Sequence, residues 1–225
     1  TGLTRTLHSV RKHPQNPLVV ADRPWEGPRV RIYGAVHREP DTGKFRMWYL
    51  AGNSYRAKQE GRPHEKSFIC YATSEDGFVW EKPKLGLYEY RGSKQNNIVI
   101  GYGMSNTCIL YDPRDPDPNR RFKGVVRHNG TRRYLSADGI HWKDDGIILK
   151  QCYDSTSVNW DPVRRKWTAS VKIWGNGKRI RGYAESDDFR NWSDTYFMAT
   201  VDENDLPGAQ VYAMTTFYYE TAYLG

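Results

Sequence analysis

Tyr71-Ala-Thr-Ser-Glu-Asp-Gly-Phe-Val-Trp80 recurs as Tyr134-Leu-Ser-Ala-Asp-Gly-Ile-His-Trp142, and again as Tyr183-Ala-Glu-Ser-Asp-Asp-Phe-Arg-Asn-Trp192. Each copy contains Ser-x-Asp, then Gly or Phe, then x-x-Trp, with the tryptophans 62 and 50 residues apart. A unit repeating at that period is one supersecondary module, copied because a single copy cannot bury its own apolar face. A second signature precedes each copy: an acid-Pro turn, then a basic residue and an aromatic. Its instances are Glu39-Pro40 with Lys44-Phe45, Asp112-Pro113 with Arg121-Phe122, and Asp161-Pro162 with Lys166-Trp167. Two signatures in one order, three times over, describe four-stranded blades of a β-propeller.

Outward from the repeats, the same pattern continues. Residues 1–28 form an irregular, Pro-rich leader. Val30, Ile32, Gly34 and Val36 alternate with Arg31, Tyr33 and Ala35, a period of two that marks a strand. Strands are also expected at 44–50, 67–72, 107–111, 121–126 and 166–171, with the outer edge of the first unit beginning at 81–87. A fourth opening strand is expected at 209–214 and its successor at 218–224. The units fall at about 29–97, 98–149 and 150–201, with a partial unit at 202–225. Three units and part of a fourth leave an open sheet edge, so the expectation is a piece of a longer protein.

Aromatic residues make up 14% of the 225, favouring short strands over long helices. No apolar run approaches the roughly 18 residues of a membrane span. The net charge of +8 is dispersed and reads as a solvated surface, which leaves nucleic-acid binding resting on charge alone. Cys70, Cys108 and Cys152 fit no zinc spacing and read as small buried hydrophobes. There is no Gly-rich phosphate loop, no His-Glu-x-x-His and no Gly-x-Ser-x-Gly, so nucleotide, metalloprotease and serine-hydrolase chemistry lack their motifs.

Trp25-Glu26, Tyr33-Gly34, Phe45-Arg-Met-Trp-Tyr49, Ile69-Cys-Tyr-Ala72 and the Ser-Glu-Asp-Gly-Phe-Val-Trp80 turn together resemble the five-bladed propellers related to glycoside hydrolase families 32, 43 and 68. Lys84-Leu-Gly-Leu-Tyr-Glu-Tyr90 and Asp205-Leu-Pro-Gly-Ala-Gln-Val-Tyr-Ala-Met214 are similar to an uncharacterised bacterial branch of the same group. The resemblance implies an all-β, five-bladed propeller of four-stranded antiparallel blades, about three and a half of them in this chain. It implies a carbohydrate substrate held in an axial funnel, hydrolysis by funnel carboxylates, no resident cofactor, and a secreted or periplasmic protein. A structural calcium ion would be an analogy only, since no ligand set and no catalytic metal site are visible.

Glycoside cleavage needs one carboxyl protonated for the leaving oxygen and another ionised to attack or to activate water. Glu26, preceding the first inner strand, and Asp154, preceding the third, are the candidates for those roles. Asp22 is the fallback for Glu26, which stands where the characterised families carry Asp. Trp25 offers a face for a sugar ring. Tyr33, His37 and Arg38 fall on or after the first inner strand, where a guanidinium would suit an anionic sugar. Asn106 and Gln210 occupy the matching places in the second and fourth units and can only hydrogen-bond. Those two amides motivate the alternative, a carbohydrate-binding or scaffolding propeller without turnover. Asp76, Asp138 and Asp188 recur in every unit and read as scaffold.

Overall fold

The computed structural model describes residues 6–52, 67–101, 107–127, 130–149 and 153–225. Three four-stranded antiparallel sheets follow one another along the chain. The first runs β1 (Val30–Arg38), β2 (Phe45–Ala51), β3 (Phe68–Ser74), β4 (Ile98–Ile100). The second is β5 (Thr107–Tyr111), β6 (Phe122–Arg127), β7 (Thr131–Ser136), β8 (Lys143–Leu149). The third is β9 (Ser157–Asp161), β10 (Lys166–Gly175), β11 (Lys178–Ser186), β12 (Tyr196–Ala199). A hairpin of β13 (Phe217–Tyr219) and β14 (Ala222–Leu224) follows. The first strands adjoin one another in order, β1 to β5 to β9 to β13, so they are the inner strands around a common axis. The fold is therefore all-β, a partial propeller of three complete blades and a hairpin.

Blade-on-blade packing follows from the period-two alternation of the second strands. Trp48 and Leu50 face the second blade and share a buried cluster with Ile109, Phe122 and Tyr134. Met47, Tyr49 and Ala51 face the opposite way, toward Phe68, Cys70 and the leader. Val125 of the second blade packs with Val158, Trp167 and Phe189 of the third.

The repeated turns share one aspartate-centred construction, and the first two also close on their tryptophans, Trp80 and Trp142 donating to the Gly77 and Gly139 carbonyls. The Ser74 hydroxyl accepts from the amides of Asp76 and Gly77 at 3.3 and 2.9 Å, and the Asp76 carboxylate accepts from Phe78 and Val79 at 2.8 and 2.9 Å. Ser136 and Asp138 repeat this with Gly139, Ile140 and His141. Asp188 does so with Arg190 and Asn191. The fourth position of the turn needs a positive φ, +80° at Gly77 and +75° at Gly139. Phe189 takes it at +62°, a strained choice for a bulky residue. Its reward is packing. Trp48 of the first blade donates to the Gly139 carbonyl at 2.6 Å and fills the space over that glycine. At the matching register of the second blade stands the smaller Val125, and Phe189 fills the room it leaves.

The acid of each acid-Pro turn closes the hairpin between inner and second strand. Glu39 and Asp112 donate their amides to the carbonyls of Lys44 and Arg121 at 2.8 and 2.7 Å. Their carboxylates pair with Arg46 and, at 3.1 Å, with the buried Lys123.

Two expectations about strands are corrected. At 81–87 there is only the isolated bridge of Glu81 to Thr73, and the paired outer strand is Ile98–Ile100, three apolar residues that can be buried on both faces. Residues 209–214 form no strand, because the hydrogen-bonding groups of this segment are taken by Arg179 and Arg181 of the third blade. The inner strand of the fourth unit begins at Phe217 instead.

Candidate functional site

A cavity of about 550 Å³ opens at the axis. Its walls come from the inner strands of the first two blades and from the segments leading into the next two: Ile32–Gly34, Thr107–Leu110, Ser155–Asn159 and Tyr212–Thr215. Tyr33 and Tyr212 supply aromatic faces, and Ser155, Thr156, Ser157 and Asn159 supply polar groups, the mixture a sugar ring requires. At this point β1 carries a register shift between Arg31 and Ala35. Gly34 permits it, since a β-carbon there would stand 2.1 Å from the Trp48 carbonyl oxygen.

Asp154 does not itself line this cavity; it adjoins the lining residue Ser155 and is hydrogen-bonded to Tyr212, which does. One of its carboxylate oxygens pairs with the ammonium of Lys172, and the other accepts from the Tyr212 hydroxyl at 2.7 Å. Lys172 lies 4.5 Å from the centre of the Tyr212 ring, so carboxylate, ammonium and phenol form one polar group. Below them Arg181 is fully buried. It donates to the Ser170 hydroxyl at 2.8 Å, the Ser155 carbonyl at 2.9 Å and the Tyr212 carbonyl at 3.3 Å. It thereby ties two walls of the cavity together. Between them Ser155 is held in the left-handed region, φ +65°, at a cost of about 1–2 kcal/mol. Strain of that kind persists only where the surroundings over-determine it.

Glu26 lies elsewhere, in a short 3-10 turn (Pro24–Glu26), and is wholly enclosed. Its carboxylate accepts from the Tyr49 hydroxyl at 2.6 Å, from Lys82 at 2.7 Å, and from the amides of Asp22 and Arg23 at 2.8 and 3.0 Å. Trp25 belongs to the same assembly. Its indole donates to Asn97 at 2.8 Å, and Asn97 donates to the Tyr49 oxygen at 2.7 Å. These groups dock the leader onto the face of the first blade turned away from the second. Burial pushes the Tyr49 and Cys70 hydrogens toward much weaker acidity. Asp22 is drawn down from the usual carboxylate range by its hydrogen bond from Lys82. Neither Glu26 nor Trp25 lines the axial cavity, so the structure does not bring Glu26 and Asp154 to one pocket.

The other nominated residues divide similarly. Tyr33 lines the cavity. His37 stacks on Tyr111 with ring centres 5.0 Å apart, and burial, assisted by Arg46, pulls its basicity below the ordinary histidine value. Arg38 is exposed and donates to the Gly43 carbonyl at 3.2 Å, pinning the β1–β2 turn. Gln210 accepts from the Arg179 amide and guanidinium at 3.1 and 2.7 Å, so its carbonyl braces the rim. Asn106 and Cys152 lie outside the described residues. Cys70 and Cys108 are free thiols, and burial raises Cys108 to about 11. Among the described residues, no group of three His, Cys, Asp or Glu side chains could hold a metal ion.

Lys172, Arg181 and Tyr212 were not singled out from the sequence. A signal existed for the first two: each is a cation inside a strand whose neighbours are buried, and a charge in that setting needs a built polar environment.

The described architecture matches solved propellers. A β-1,2-mannobiose phosphorylase from Listeria innocua superposes with a TM-score of 0.57 at 14% identity, covering 88% of this chain and 68% of that one. The chain shares part of that propeller fold. A glycosyl hydrolase from Bacteroides ovatus gives 0.51 at 15% identity, over 81% and 57% of the two chains. A structure from GH130, a family of mannoside phosphorylases that contains hydrolases of β-1,2-mannosidic linkages, gives 0.51 at 16%, over 86% and 58%. At these identities the shared property is the fold, and the chain spans about three fifths of the length of the latter two. No family model and no curated protein matches the sequence.

Proposed function

We propose that this propeller is a glycoside-processing protein of the hydrolase class that takes its saccharide in the axial cavity. The observation that carries the reading is that Asp154, paired with Lys172, is hydrogen-bonded to Tyr212, which lines a cavity of aromatic and hydroxyl groups from four successive units. In this reading Tyr33 and Tyr212 bracket a sugar ring. Asp154 is the carboxylate that acts as base or nucleophile, with Lys172 and Tyr212 fixing its orientation. Glu26 contributes by holding the leader in place. The structural neighbours supply a first probe, β-1,2-linked mannobiose. Incubation with and without inorganic phosphate separates hydrolysis from phosphorolysis. Turnover abolished by Asp154→Asn supports the reading. Turnover that survives the substitution removes Asp154 from the chemistry.

A second reading, saccharide binding without bond cleavage, draws on one specific observation. A glycosidase needs two carboxyl groups, and Glu26 is enclosed by its own partners. Calorimetric binding without product formation would favour it.

A further inference from the structure

Arg31 differs from the cations that brace the axial site. Lys172 is paired with Asp154, and Arg179 is engaged by Gln210. The Arg31 Nε is enclosed and has no hydrogen-bond partner among the described residues. Arg31 as a whole is half-buried, but an enclosed guanidinium nitrogen without an acceptor carries an uncompensated desolvation cost. Its guanidinium carbon lies 5.7 Å from the centre of the Tyr33 ring, and Tyr33 lines the axial cavity. Arg31 itself lines a neighbouring apolar cavity of about 430 Å³ and not the axial one, and Ile32 lines both. Among the described residues no carboxylate lines the axial cavity, and Asp154, which holds its lining residue Tyr212, is already neutralised by Lys172. The site thus has an unmatched positive charge beside a sugar-sized, hydroxyl-lined space.

We infer that the axial cavity selects a carbohydrate bearing an oxyanion, a uronate carboxylate or a sulfate ester, and that Arg31 receives that group between Tyr33 and Tyr212. The inference rests on the saccharide reading above and gives its substrate class. Burial, followed by repulsion from Arg29, weakens the hold of Arg31 on its proton, and both phenols act in the opposite sense. An anion at this position would act in the same sense as the phenols. A forked guanidinium suits a planar carboxylate or a sulfate through paired, charge-assisted hydrogen bonds. Arg38, the guanidinium expected from the sequence to serve an anionic sugar, is committed to its own turn.

The test is calorimetric titration of the 225-residue chain with an oligouronide, a sulfated oligosaccharide and neutral β-1,2-mannobiose, repeated for Arg31→Gln and Arg31→Lys. The expected result is preferential binding of one anionic glycan. Arg31→Gln should weaken it by roughly 10- to 100-fold, the range of a charge-assisted bond, and Arg31→Lys should recover part of the loss. Which anionic glycan binds decides between carboxylate and sulfate. Equal binding of the neutral sugar, unchanged by Arg31→Gln, would overturn the inference while leaving the saccharide site standing. Failure of all three glycans to bind would overturn both. Thermal denaturation of each variant separates loss of the ligand from loss of the fold. An Arg31→Gln protein that is destabilised but keeps its glycan preference would also overturn the assignment.

Discussion

Replacing Glu26 by Gln should unfold the leader rather than disarm a catalyst. Glu26 has no solvent exposure, and the side chain of Lys82 retains 6%. The substitution removes the negative charge and points an amide donor at groups that are themselves donors: Lys82, the Tyr49 hydroxyl, or the amides of Asp22 and Arg23. Breaking a buried ion pair by deleting one partner costs about 3–5 kcal/mol. Lys82 keeps Asp22 at 2.7 Å and the Val20 carbonyl at 2.8 Å, which places the loss near the low end. A loss of about 3 kcal/mol in a chain of this size lowers Tm by roughly 6–12 °C. Differential scanning calorimetry at neutral pH reads this directly. Because part of the cost comes from a buried ammonium left with one carboxylate in place of two, Lys82→Met combined with Glu26→Gln should recover part of it. The reasoning is refuted if Glu26→Gln leaves Tm unchanged. If it also abolished glycan turnover at unchanged Tm, Glu26 would belong to the chemistry.

Three further outcomes follow from the packing of the blades. Gly139→Ala forces a β-carbon to 2.6 Å from the Trp48 ring at a φ of +75°; the combined clash and left-handed strain should cost about 2–4 kcal/mol, read by urea denaturation followed through tryptophan fluorescence. Phe189→Ala empties the fully buried space between second and third blades and should cost about 3–5 kcal/mol by the same assay. In Asp138, burial pulls the carboxyl up, but hydrogen bonds from His141, Ile140 and Ser136 outweigh it and hold it at about 2; Asp188 reaches about 2 through Asn191 and Arg190. Both lie below the ordinary value of 3.8, so the stability they give is complete above it and is lost as pH falls through about 2. Asp138→Asn and Asp188→Asn should each flatten that acid limb of a stability-versus-pH curve.

Much of the fold was legible because its signals are local. A Ser-x-Asp turn satisfies its own amides within five residues, so the pattern Ser74 to Trp80 carries its geometry with it. The exchange of Gly139 for Phe189 was visible in the third copy. Its compensation by Trp48 and Val125 was not, since it depends on which blade faces which. The site was less legible for the same reason. Counting along β1 treats the strand as regular, whereas the register shift between Arg31 and Ala35 redistributes its side chains around the axis. Glu26 precedes an inner strand as a funnel carboxylate should. What removes it from the cavity is a set of partners from 23 and 56 residues away, Tyr49 and Lys82. Residues 209–214 have the composition of a strand, but Arg179 and Arg181 hold them as a wall.

The central claim is that the axial cavity, bounded by Tyr33 and Tyr212 with Asp154 held behind Tyr212, is where saccharide binds. A crystal structure of the chain with a bound oligosaccharide tests it most directly. The account predicts a sugar ring between Tyr33 and Tyr212, with a hydroxyl within hydrogen-bonding distance of Asp154. A saccharide seated instead on the leader beside Trp25 and Glu26, with the axial cavity empty, would contradict it.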